Sequence, residues 1–229
     1  MGNLSEFLME ELNVATAFTI PIFGGIEVAE STVISWVIMA IIVILTLVLT
    51  RNMRVEKPGK LQVGVEYTVT ALQNLVRGII GHEGERYVSY LSTVLVFLGI
   101  SNIFAIFGMK PPTKDLNVTA ALALMSIILV QAASIRQNKV GGWLKGFTKP
   151  SKVITPLNVM ELAIRPLSLC MRLFGNVMGA FVVMKLLEHL VPVILPAVFS
   201  LYFDFFDGLL QAYVFVFLTG LYIKEAVEE

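Results

Sequence analysis

The sequence predicts an all-α integral membrane protein with five membrane-embedded helices and one interfacial amphipathic helix. Hydrophobic residues make up 56% of the 229-residue chain and charged residues only 15%, which is more apolar surface than one soluble core of this size can bury. The apolar residues also gather into stretches of about 20 residues, the length that crosses about 30 Å of hydrocarbon. Because the formal net charge is zero, no basic field recruits nucleic acid.

The first three spans follow from the positions of these stretches. Residues 1–30 are acidic, contain no Lys or Arg, and predict an external N-terminal segment. Residues 31–50 form the first transmembrane helix, which ends before two arginines. Residues 87–135 predict a transmembrane hairpin, with spans at about 87–108 and 116–135 joined by a short proline-containing turn.

The last third of the chain, residues 156–229, predicts a long helical hairpin. Its helices run over about 158–190 and 193–226, with a break at Pro192 and Pro196. More than 30 residues at 1.5 Å each give a helix of nearly 50 Å, which exceeds the thickness of the bilayer. We therefore expect both helices to be strongly tilted.

The basic loops predict the orientation. Residues 51–86 and the loop 136–155 carry most of the Lys and Arg outside the spans, so both are expected in the cytoplasm. The N-terminus is then outside and the C-terminus cytoplasmic. Within the first of these segments, apolar residues of 60–81 recur at helical spacing, which predicts an amphipathic helix on the inner membrane interface. A plain surface helix fits the same pattern.

Polar residues form one seam on each of the last two helices. At about 100° per residue, Glu161, Arg165, Ser168 and Asn176 all lie within about 40° of Arg172. In the last helix, Asp204 and Asp207 lie within about 40° of Gln211. The predicted orientation puts Glu161 and Ser168 in the inner half of the membrane, Asp204 and Asp207 in the outer half, and Arg172, Asn176 and Gln211 between them.

Arg172 needs an anion or water, since an arginine at the centre of a span costs at least about 3 kcal/mol and cannot lose its proton. We interpret it as a divider between two half-membrane ion paths that do not meet. A structural ion pair with Asp204 or Asp207 is one alternative. A snorkelling arginine is another, and this description suits Arg165 better.

Several motifs resemble subunit a of F-type ATP synthases, in order along nearly the whole chain. The carrying sequence is Arg172-Leu-Phe-Gly-Asn176, preceded by Pro166-Leu-Ser-Leu169 and followed in the last helix by Gln211-Ala-Tyr-Val-Phe215. Two further segments agree with the family: Pro112-Thr-Lys-Asp-Leu-Asn-Val-Thr119, and Pro58-Gly-Lys-Leu-Gln62 with Glu66.

The resemblance implies that Arg172 is an essential stator arginine facing a carboxylate on a rotating ring of c subunits. It implies that Asn176 and Gln211 flank this arginine and that b subunits of a peripheral stalk clamp the chain. The expected function is coupling of H⁺ or Na⁺ flow to ring rotation and ATP synthesis, in an energy-coupling membrane such as a bacterial plasma membrane. Ligands in the ring would decide which ion is carried.

The chain departs from the family pattern on the outer side. Many relatives carry an acidic residue where this chain has Phe181, and some carry a histidine where it has Asp204. Asp204 and Asp207 are therefore the expected acids of the outer path. Lys185, Glu188 and His189 lie on the other side of their helix, where we expect a salt bridge or an interfacial anchor.

The chain is not expected to be an enzyme by itself. It contains no recognisable nucleophile, metal-ligand cluster or phosphate loop, so we expect no cofactor or metal and assign nucleotide chemistry to the remainder of the ATP synthase. The rival class is a self-contained channel or transporter gated by Arg172. A purely structural membrane scaffold is a third interpretation, but it does not explain two polar seams at opposite depths.

Overall fold

A computed structural model describes residues 16–20, 26–55, 58–82, 84–104, 111–146, 155–190 and 198–228. Within these residues, five helices are long and apolar enough to cross a membrane, so the predicted all-α membrane fold is confirmed. The helices are α1 (Glu30–Thr50), α2 (Lys60–Ile80), α3 (Val88–Ile103), α4 (Leu116–Gly146), α5 (Thr155–Leu190) and α6 (Gly208–Glu228). A 3₁₀ turn over Glu85–Tyr87 leads into α3, and another over Pro112–Lys114 precedes α4.

A small β-ribbon precedes α1 and was not predicted. Strands β1 (Thr16–Ile20) and β2 (Ile26–Ala29) pair antiparallel, with Phe18 opposite Val28. Both strands contain β-branched or aromatic residues, which favour extended backbone. The ribbon is too short to show the long alternation by which strands are recognised in a sequence.

The chain reverses direction inside α4, and the first part of the predicted loop 136–155 is helical instead. The helix does not end at Ile135, because helical structure continues to Gly146 across a non-helical residue, Lys139 (φ 56°, ψ 165°). Trp143 Nε1 donates a hydrogen bond of 2.8 Å to Gln131 Oε1, whereas twelve residues of straight helix would separate them by about 18 Å. Residues 140–146 therefore fold back along the span, and the first part of the expected loop is helical.

The last helix is the centre of the bundle. Helix α6 contacts α2, α3, α4 and α5. The core lies where these helices meet, and its fully buried side chains include Leu91, Leu98, Leu169, Leu173, Phe215 and Val216. By contrast, only 11% of the apolar window of α1 is buried, and Leu47 and Val48 are exposed. Most of α1 is therefore available to lipid or to partner chains.

One end of the bundle, which we call the turn face, is held together by two side-chain hydrogen bonds. Ser31 Oγ donates to Asp115, and Asn102 Nδ2 donates to the carbonyl oxygen of Gly208. These contacts bring together the start of α1, the end of α3, the start of α4 and the start of α6. The helices therefore alternate in direction, as the predicted topology requires.

A π-helical segment, Leu201–Asp207, precedes α6 and replaces part of the regular helix predicted over 193–226. Its i→i+5 pattern widens the turn relative to an α-helix. Helix α5 contains Pro166 in its interior. The predicted break at Pro192 and Pro196 lies outside the described residues, which resume at Val198.

The amphipathic helix α2 docks on the bundle by its C-terminal end. Val76 and Ile80 are buried, whereas Leu61 near the N-terminal end is 79% exposed. The contact is close at Gly220 of α6, where an added Cβ would lie 2.9 Å from Ile79 Cγ2 and 3.3 Å from Ile80 Cγ1. A glycine at this position lets the two helices approach.

We expect Gly220→Leu to lower the free energy of unfolding by about 1–3 kcal/mol, because the added side chain has no space between α2 and α6. The measurement is the thermal unfolding midpoint of the purified chain in detergent. Gly64→Leu is the matched control, since a Cβ at Gly64 meets nothing within 4 Å. Equal midpoints for the two variants would contradict the contact.

Candidate ion-path residues

Arg172 lies at the middle of the 36-residue helix α5 and points away from the bundle. Its side chain is exposed, while its neighbours Leu169 and Leu173 face the core with exposures of 1% and 0%. Arg172 forms no hydrogen bond or ion pair with any residue that the structure describes. The structural ion pair with Asp204 or Asp207, considered as an alternative, is not formed.

Asn176 and Gln211 meet one helical turn away from Arg172. The Nδ2 of Asn176 donates a hydrogen bond of 2.6 Å to Oε1 of Gln211, which joins α5 to α6. Gln211 is only 4% exposed. Its Nε2 is buried and has no partner among the described residues. The structure therefore places these two predicted residues in direct contact and leaves the Nε2 group of Gln211 without a hydrogen bond to a described residue.

We expect Asn176→Leu and Gln211→Leu each to destabilise the chain by about 1–3 kcal/mol, because each leaves a polar partner without its hydrogen bond. The double variant should lose less than the sum of the two, since it removes both partners of one bond. Thermal unfolding of all four proteins in detergent measures the difference. Strict additivity would show that the two amides are not coupled.

Arg165 joins α5 to α6 at the end of the bundle opposite the turn face. Its Nη2 lies 3.1 Å from Glu161 Oε2 and 3.0 Å from Glu225 Oε1. Its guanidinium lies 5.0 Å from the ring centroid of Tyr222, within the range of a cation–π contact. The side chain of Arg165 is 20% exposed, against 55% for Glu161 and 48% for Glu225. Arg165 is thus paired inside the chain, and one of its partners is the predicted residue Glu161.

Glu225 was not predicted as part of this cluster. It follows Gln211 by fourteen residues, which is close to four helical turns, so both share one face of α6. Extending the seam of the last helix to its C-terminal end could have found it. Ser168, another predicted residue, is half-buried and lies between Arg165 and Arg172 on α5.

Asp204 and Asp207 lie in the π-helical segment and are half-buried. A π-turn rotates the chain less per residue than an α-turn. The angle between Asp204 and Gln211 around the helix axis is therefore larger than the value of about 20° that a regular α-helix would give. Glu188 of α5 forms a salt bridge of 2.9 Å with Lys185, which is one of the two roles expected for these residues.

Carboxylates therefore gather at two depths. Asp207 and Glu225 are eighteen residues apart on one continuous helix, a rise of about 27 Å, which approaches the thickness of the hydrocarbon. Arg172 and the Asn176–Gln211 pair lie between these depths. Such an arrangement can exchange a cation or proton at each end, while a fixed positive charge occupies the middle.

The described residues include no group of three or more His, Cys, Asp and Glu side chains placed to hold a metal ion. They do include buried polar residues for which the sequence predicted no role of their own. Asn102 is 3% exposed, Thr113 1% and Asp115 4%. Asn102 is a polar residue near the end of an apolar span, and this feature could have drawn attention to it.

The fold and its polar residues define a multi-pass integral membrane protein with ionisable groups at two depths. The sequence profile described as "ATP synthase A chain" matches residues 32–224. This chain belongs to that family and is a subunit of the membrane sector of an ATP synthase.

Named relatives support the assignment over most of the chain. ATP synthase subunit a of Moorella thermoacetica is 37% identical over 205 residues, which cover 89% of this chain and 93% of the relative. ATP synthase subunit a 1 of Hahella chejuensis is 33% identical, with coverage of 90% and 87%. The sodium ion specific subunit a of Propionigenium modestum is 31% identical, with coverage of 89% and 75%.

Proposed function

We propose that the chain is the ion-translocating stator of the membrane sector and that Arg172 acts on a carboxylate of another subunit. The observation that carries this proposal is the position of Arg172, which is exposed at the middle of a membrane-spanning helix without a partner in the described chain. A permanent charge in hydrocarbon requires an anion or water. The partner is a ring of c subunits, each supplying one carboxylate.

The surface around Arg172 suits the close approach of a partner helix. Gly175 and Gly179 lie near the same face of α5, and a Cβ at either position would meet nothing within 4 Å. Small residues on an exposed helix face allow another helix to pack closely in a membrane. Bilayer lipid and the b subunits of the peripheral stalk cover other surfaces of the chain.

Two half-membrane paths lead to this face. The outer path reaches the ring through Asp204 and Asp207, and the inner path leaves through Ser168 and Glu161. In this orientation the turn face and the N-terminus lie outside, and the C-terminus lies in the cytoplasm. An H⁺ or Na⁺ enters on one side, rides on a ring carboxylate, and leaves on the other side.

The positive charge of Arg172 separates the two paths. It favours the ionised form of a ring carboxylate as that carboxylate passes, and so releases the bound ion toward the inner path. It also opposes direct passage of a cation between the paths. Ion flow is thereby coupled to rotation of the ring and to ATP synthesis, while other subunits carry out the nucleotide chemistry.

In the assembled complex reconstituted into liposomes, we expect Arg172→Ala to reduce ion-driven ATP synthesis at least about 100-fold. Breaking an ion pair that is buried in the assembly costs about 3–5 kcal/mol, and each 1.4 kcal/mol is about tenfold. Arg172→Lys should also be impaired, because an ammonium does not reproduce the planar guanidinium. Arg136→Ala is the control, since Arg136 is an exposed arginine of α4. Near-normal synthesis by either Arg172 variant would refute the proposal.

A self-contained channel gated by Arg172 makes a different prediction for the isolated chain. We expect the purified chain alone in liposomes to give little ion flux, because the ring carboxylate that carries the ion between the two paths is missing. Flux is measured as the decay of an imposed ion gradient, with protein-free liposomes as the reference. Sustained flux from the chain alone would favour the channel.

A further inference from the structure

A chain of buried hydrogen bonds ends where the π-helical segment meets α6. The hydroxyl of Thr113 donates to Oδ1 of Asn102 over 2.8 Å. Nδ2 of the same Asn102 donates to the carbonyl oxygen of Gly208 over 2.8 Å. Thr113 is 1% exposed and Asn102 is 3% exposed. Because the carbonyl oxygen of Gly208 can only accept a hydrogen bond, the amide nitrogen of Asn102 must face Gly208, and the Thr113 hydroxyl supplies the proton that the amide oxygen on the other side accepts.

The contact at Gly208 leaves no space for a side chain. A Cβ at this position would lie 2.9 Å from Cβ of Asn102, closer than such atoms approach without a shift of one helix. Asn102 therefore touches the backbone of the last span directly. A glycine here permits α3 and α6 to approach closely enough for the amide to reach the carbonyl oxygen.

Gly208 is also the residue at which the helical pattern changes. The π-helical segment ends at Asp207, and α6 begins at Gly208. A π-turn holds more residues than an α-turn, so it is rare and persists where tertiary contacts favour it. If the segment relaxed to regular α-helix, the side chains before Gly208 would rotate relative to those after it.

Thr113, the first residue in this series of hydrogen bonds, is held in place by the turn to which it belongs. Thr113 belongs to the 3₁₀ turn Pro112–Lys114, which is buried throughout. The following residue, Asp115, accepts a hydrogen bond from Ser31 Oγ of α1 and another of 2.9 Å from the backbone N–H of Asn117. The turn is thus tied to both α1 and α4, and it presents the Thr113 hydroxyl from a fixed position.

We propose that Thr113 and Asn102 are positioning residues that hold the π-helical pattern of residues 201–207 and thereby set where Asp204 and Asp207 face. This inference rests on the proposed function, in which these two carboxylates serve the outer path. Thr113 and Asn102 act through Gly208, and neither has to contact the ion.

The decisive pair of variants is Thr113→Val and Thr113→Ser in the assembled complex in liposomes. Valine keeps the shape of threonine but lacks the hydroxyl, whereas serine keeps the hydroxyl. The measurement is the concentration of coupling ion, H⁺ or Na⁺, that gives half-maximal ATP synthesis, varied on the turn-face side and then on the opposite side. Values are compared at equal amounts of assembled complex.

We expect Thr113→Val to raise the half-maximal concentration about fivefold on the turn-face side, the effect of losing one hydrogen bond. The value on the opposite side should not change, and Thr113→Ser should restore the original value. A role limited to packing would instead lower the amount of complex or the maximal rate and leave both half-maximal concentrations unchanged. That outcome would overturn the inference.

Glycine variants give a second test that keeps every polar group. Gly208→Ala should shift the same half-maximal concentration, because its methyl group meets Cβ of Asn102. Gly99→Ala is the matched control on α3, since its Cβ would lie at an ordinary 3.5 Å from Leu209 Cδ2. If Thr113→Val does not assemble, an equal response of the two glycine variants overturns the inference.

Asp204→Asn and Asp207→Asn separate failure of the inference from failure of the proposed function. If neither variant alters the response to the ion on the turn-face side, the proposed outer path is wrong. If they alter it while Thr113→Val and Gly208→Ala do not, the outer path stands and only the positioning role is wrong.

Discussion

A permanent charge inside a hydrocarbon slab must find a counter-charge, and this constraint organises the chain. Helix α5 contains two arginines seven residues apart, Arg165 and Arg172. The first is held between two carboxylates and against an aromatic ring. The second has no such contact with any described residue. The chain neutralises Arg165 where two helices meet, so the outward-facing placement of Arg172 supports the proposal that its partner lies on another subunit.

The same constraint places the other polar contacts where helices meet closely. Asn176 with Gln211 joins α5 to α6, and Asn102 with Gly208 joins α3 to α6. Inside a membrane, small residues and side-chain hydrogen bonds replace the hydrophobic effect as the source of helix association. The central helix α6 is therefore fixed by an amide contact at Gly208 and by close packing of α2 at Gly220.

Sequence patterns predicted the spans and the two polar seams because both depend on local, periodic properties. Apolar length identifies a span, and a period of 3.6 residues identifies which side chains share a face. The pairing of Asn176 with Gln211 follows from seams on two adjacent helices. The same reasoning could not decide between a partner for Arg172 inside the chain and one outside it, since that depends on how α5 rotates in the bundle.

Tertiary contacts account for what the patterns missed. The reversal at Lys139 depends on the bond between Trp143 and Gln131, two residues that are distant in a straight helix. The π-helical segment contains both expected acidic residues, Asp204 and Asp207, yet nothing in its own sequence distinguishes it from α-helix. Its pattern changes at Gly208, where Asn102 from another helix contacts the backbone.

In the proposed stator, these contacts hold the helices of the chain in a fixed arrangement. Helix α6 is packed on several sides and tied near both ends, whereas no described residue covers the face of α5 that carries Arg172 and Gly179. A stator has to keep its charge and its two paths in fixed relation while a partner passes. In the proposed mechanism, a tightly packed last helix together with an open arginine face meets this requirement, because the displacement would fall on the partner and the separation between the two proposed paths would stay constant.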